Sequence, residues 1–256
     1  MQTEATTVSA THEVTESTSA VWPPKLPRVV LGAIVAAGVA CLILSFLYPI
    51  FTVPEEIAII PDPPPTAAVL KLEKAQFAVD AKNFSIVFGT IAAVLGAAIV
   101  LFAFGFRSIK AVFLGAIAAA SLGVVGVNLS NWMFTNLRST SNSDMLLMGI
   151  TIDSMTQTII GYAALWGLVG LGAGIGVGSV RGVGKAISAG VAGLLGGTLA
   201  AMVYVLLVAQ FTPNTTMSFV FPQDLVSQAI WFLLSMILIA AAIALGSGEK
   251  RARIAK

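Results

Sequence analysis

The chain has 256 residues, of which 57% are apolar and only 10% charged, with a formal net charge of +2 and a mean hydropathy of +0.93. Soluble domains carry about 25% charged residues, so these proportions exclude a water-soluble globular enzyme, which could not cover its surface. The net charge is too small to imply a nucleic-acid partner, and one cysteine, Cys41, excludes an internal disulfide framework or a Cys-rich zinc site.

Residues 1–21 hold nine Ser or Thr, three Glu and no Lys or Arg. Such a segment cannot bury enough apolar surface to offset ordering, so 1–28 reads as a disordered cytoplasmic tail. It lacks the basic start of a signal peptide. WPPKLPR (22–28) leads from it into the first long apolar run.

Six runs contain no Asp, Glu, Lys, Arg or His: 29–51, 84–106, 111–129, 158–180, 186–211 and 229–246. About 20 helical residues cross the ~30 Å hydrocarbon core. There is no period-two alternation, so the runs predict helices and not barrel strands. The expected fold is all-α: a six-helix transmembrane domain over 29–247 with both termini cytoplasmic, followed by a basic tail over 248–256.

Orientation follows from the cations. The two shortest connections, RSIK (107–110) and RGVGK (181–185), contribute Arg107, Lys110, Arg181 and Lys185. Lys25 and Arg28 precede the first run, and Lys250, Arg251, Arg253 and Lys256 follow the last. Six crossings put these ten on one side, against Lys71, Lys74, Lys82 and Arg138 on the other. The positive-inside rule then assigns the first side to the cytoplasm. The best-fitting compartment is a bacterial cytoplasmic (inner) membrane.

Three connections face out. The first, 52–83, contains the stiff turn PDPPP and then TAAVLKLEKAQFAVDAKN, whose helix formers predict an outward extension of the second span. The second, 130–157, and the third, 212–228, place Trp132, Phe134, Phe219 and Phe221 where interfacial anchors belong.

The stretch 167–197 has 12 glycines in 31 residues. RGVGK resembles the end of a phosphate-binding loop, yet Ser179 stands where the first glycine is needed and Ala186 follows Lys185. No predicted strand precedes it, so the loop's mechanics are missing. Helical spacing explains more. Gly170, Gly174 and Gly178 recur every four residues, as do Ala189, Gly193, Gly197 and Ala201, then Gly115, Ala119 and Gly123, and Gly89, Ala93 and Ala97. The pattern resembles a glycine zipper, in which small residues on one face let helices approach in lipid. The densest part, 172–184, is also where distortion or unwinding is expected. An internal repeat is a further expectation. Gly96 and Arg107 align with Gly170 and Arg181 at an offset of 74; after one insertion Lys110, Ala111 and Gly115 align with Lys185, Ala186 and Gly190.

No charged residue lies inside a run, which argues against proton-coupled transport. His12, the single histidine, lies in the tail, and Glu55, Glu56 and Asp62 flank prolines in an outer loop, where solvation is the ordinary role. Met133, Met145, Met148, Met155 and Met217 suit packing better than soft-metal binding, since no histidine or cysteine accompanies them outside. No catalytic, cofactor-binding or metal site is expected, and no enzymatic activity. The expected function is a structural or protein-interaction component in the lipid bilayer, packed with copies of itself or with other membrane proteins. The competing expectation is a channel or transporter built from two parallel hairpins, 84–129 and 158–211.

Overall fold

The computed structural model describes residues 25–58, 66–140, 154–211, 222 and 225–247. These form seven α-helices, with no strand among the described residues: α1 (Leu26–Leu47), α2 (Glu55–Ala58), α3 (Thr66–Phe104), α4 (Ile109–Thr140), α5 (Ser154–Ser179), α6 (Val183–Phe211) and α7 (Leu225–Gly246). All except the one-turn α2 are long and apolar enough to cross a membrane. The described residues thus form an all-α bundle with six helices long and apolar enough to span a membrane.

The helix limits differ from the charge-free runs for local reasons. α1 starts at Leu26 with Pro27 in its first turn, where a fixed φ suits the helix and no bonded N–H is lost. Leu26, Pro27 and Arg28 therefore belong to the helix and not to the tail. α1 stops at Leu47, short of the expected 51, because Pro49 pushes the preceding residue out of the α region; Tyr48 is extended at φ −105°, ψ 132°. α4 continues through Thr140, past the expected limit at 129. Ser130 and Asn131 are buried there, so polar residues extend the helix beyond the apolar run. α7 begins four residues before its run, at Leu225. Within the glycine-dense 172–184, α5 stays helical through Ser179 and α6 resumes at Val183, so only the turn at 180–182 departs from helix.

α3 has 39 residues, about 58 Å at ~1.5 Å per residue. Its charge-free run, 84–104, is preceded by a polar-bearing helical half over 66–83, about 27 Å long. The helical extension anticipated over 66–83 is present, with α2 packed on it.

The six long helices close a ring in the order α1, α3, α4, α5, α6, α7 and back to α1. α5 also touches α3 and α7, so it sits inward and the ring has no open centre around it. At one end of the bundle lie the start of α1, the α3–α4 turn, the α5–α6 turn and the end of α7. Gly32 of α1 packs on Ala98 and Phe102 near the end of α3. Ser188 of α6 donates to the Gly246 carbonyl of α7 at 3.3 Å. Both turns use a glycine in the left-handed region, Gly105 at φ +72° and Gly182 at φ +99°, where a side chain would be strained. Their places differ: Gly105 precedes Arg107, whereas Gly182 follows Arg181.

Residues 1–24, the expected anchors Phe219 and Phe221, Met145, Met148 and Met217, and the tail bearing Lys250, Arg251 and Arg253 lie outside the described residues.

Candidate functional site: a filled axis and a basic end

The glycines act on two faces of α5. Toward α6, a Cβ on Gly170 would run into the Gly193 carbonyl, one on Gly174 into Ala189, and one on Gly178 into Lys185 and Ala186. Gly197 meets Trp166 in the same way. Each step of one turn down α5 is matched by one turn up α6, as two antiparallel helices in backbone contact require. Gly190 faces Leu171 and Ile175.

Toward α4 the small residues are different ones. Gly176 lies on Gly115, and Gly172 on Ala118 and Ala119. Gly126 of α4 meets Ala164 and Leu165. The four-residue spacing at Gly172 and Gly176 is present in the sequence, but the neighbouring 170–174–178 series masks it. Between α3 and α4, Gly96 approaches Gly115 and Ala119, Gly123 approaches Ala92, and Gly89 approaches Val124. That seam follows 89, 92 and 96; Ala93 and Ala97 are only half-buried. Gly38 of α1 has open space beside it.

The axis nearer the other end is filled by aromatic rings. Trp231 of α7 lies 5.0 Å from Trp166 and 5.3 Å from Tyr162 of α5, 5.8 Å from Phe88 of α3 and 6.4 Å from Tyr204 of α6, measured between ring centroids. Two of these pairs, with Trp166 at 75° and Phe88 at 78°, are edge-to-face, the arrangement that ring quadrupoles favour; the two tyrosines are tilted. Phe134 is half-buried and meets Tyr162 edge-to-face at 5.7 Å, whereas Trp132 is exposed. The indole N–H groups of Trp166 and Trp231 and the Ser235 hydroxyl are buried without an acceptor. Tyr162 and Trp166 stand one turn apart, a signal that sequence reading left unused.

Beyond this plug, α1 and α3 are clasped. Asn83 Oδ1 accepts from the backbone N–H of Ile50 at 3.1 Å and of Phe51 at 2.8 Å, and its Nδ2 donates to the Phe51 carbonyl at 2.9 Å. Tyr48 stacks on Phe84 at 6.0 Å. Burial, and then the Asp80 carboxylate, push the Tyr48 phenol above its ordinary value. Asn128 Nδ2 donates to Ser85 Oγ at 2.8 Å, tying α4 to α3.

The basic end gathers Lys25, Arg28, Arg107, Lys110, Arg181 and Lys185. The carboxylates among the described residues, Glu55, Glu56, Glu73 and Asp80, all lie toward the opposite end. No protein-family model matches the chain, and neither does any curated protein or solved structure.

Proposed function

We propose that the chain is a membrane-embedded scaffold without transport or catalytic activity of its own, with its basic end in the cytoplasm of a bacterial cell and 66–83 presented outside. The observation that carries this reading is the filled axis. The glycine faces that a pore would need open are occupied by neighbouring backbones, and five aromatic residues from four helices close the centre. A bundle so packed has few alternative arrangements, because cores at close-packed density shift between discrete states and do not deform continuously. The first half of α3 exposes Leu70 and Phe77 two turns apart, a stripe suited to a protein partner or a second copy.

The test is reconstitution of purified protein into liposomes loaded with ions and small neutral solutes. No flux above protein-free vesicles is expected. Reproducible wild-type flux, abolished by Gly174→Leu or Gly193→Leu, would replace this reading with the hairpin channel. Cross-linking from positions 70 and 77 in intact cells should capture a protein, whereas cross-linking from exposed Phe113 should capture lipid.

A further inference from the structure

The two glycine-bearing faces of α5 have a consequence for its third face. Gly176 seats α4 on one flank and Gly174 with Gly178 seats α6 on the other. The stripe between them, Leu171, Ile175 and Ser179 at one-turn spacing, is left as the floor of a groove of about 470 Å³. Leu114 of α4 forms one wall, and Ile187 and Val191 of α6 the other. The groove runs about 12 Å along α5 and continues at the basic end into a mouth lined by Ser108, Lys110 and Ser179. The α5–α6 turn, with Arg181 and Lys185, borders that mouth.

We infer that this groove is a binding site for an anionic phospholipid, one acyl chain lying on Leu171 and Ile175 and the phosphate facing Lys110. Charge complementarity selects the ligand. The mouth is cationic, and no carboxylate lies at this end among the described residues. The interior is apolar and opens sideways, so it suits a chain entering from the bilayer better than a soluble anion entering from water. Basic pockets between membrane helices bind anionic headgroups by this combination. The inference does not depend on the scaffold reading, since a conducting bundle would keep the same groove.

The experiment is native mass spectrometry of the purified full chain in micelles, titrated with phosphatidylglycerol or with phosphatidylcholine of the same acyl chains. Phosphatidylglycerol should be retained at least fivefold more tightly. Lys110→Gln should weaken its retention about fivefold, as expected for one cation near an anionic lipid. Ile187→Trp, which fills the groove from an exposed position, should weaken it similarly, and Leu114→Trp on the opposite wall provides a second version. Lys25→Gln, a cation at the same end but outside the groove, should change it less than twofold. Glycerol phosphate at the lipid's concentration should not compete. Equal retention of the two lipids, a Lys25→Gln effect as large as that of Lys110→Gln, no effect of either tryptophan, or competition by glycerol phosphate would each overturn the site.

Discussion

Asn83 of α3 pairs with the backbone of Phe51 as a strand would, accepting from its N–H at 2.8 Å and donating to its carbonyl at 2.9 Å. The side chain itself is buried. It satisfies the peptide groups left open where Pro49 diverts the chain from the helix. Replacing it with leucine keeps the branched shape and removes all three bonds. Phe51 is 43% exposed, so water recovers part of the loss, and the expected destabilisation is about 1–3 kcal/mol. Hydrogen exchange should show Ile50 and Phe51 amides opening in Asn83→Leu while the α5–α6 seam stays protected. Unchanged exchange at both amides would contradict the clasp.

Two glycine-to-alanine changes should separate, only one of them destabilising. At Gly193 a methyl group meets the Gly170 carbonyl, a rigid obstacle, and overpacking of this kind costs about 1–3 kcal/mol. At Gly38 a methyl group meets nothing, so the ordinary helix preference of up to about 1 kcal/mol for alanine is free to act. Thermal unfolding in one detergent should place Gly193→Ala below and Gly38→Ala at or above wild type.

Trp231 separates ring packing from polarity. Trp231→Ala empties the centre of the aromatic plug and should cost about 3–5 kcal/mol. Trp231→Phe keeps a ring and removes an indole N–H that has no acceptor, so the desolvation cost of that group disappears with it. The phenylalanine variant should therefore lose less than half of what the alanine variant loses, read from thermal midpoints. Equal losses would indicate that the N–H makes a bond that matters.

The shared end of the bundle predicts a topology result. Reporters inserted after Gly182 and fused after Ser247 should lie in one compartment, and a reporter inserted at 52–54 in the other. A split between the first two would break the alternation of the six helices.

Much of the architecture is legible in the amino-acid sequence. Uninterrupted apolar length marked each long helix, and PDPPP followed by helix formers marked the early start of α3. Boundaries were less so, because Ser130 and Asn131 look like loop residues until α4 and its neighbours are seen to bury them. The four-residue spacing drew attention to Gly170, Gly174 and Gly178, which do share one contact face, toward α6. It drew none to Gly172 and Gly176, which face α4, or to Asn83, an ordinary polar residue with no motif around it.

The amino-acid sequence alone determined how many helices can cross a bilayer, because hydrocarbon thickness and the cost of unbonded peptide groups act on any contiguous apolar stretch. Which face of each helix meets which neighbour was decided only by the tertiary structure. In water, polarity separates the outside of a helix from its inside. In lipid both faces are apolar, and a glycine has no side chain to indicate direction, so the seams, the aromatic plug and the groove become visible only once the helices are placed together.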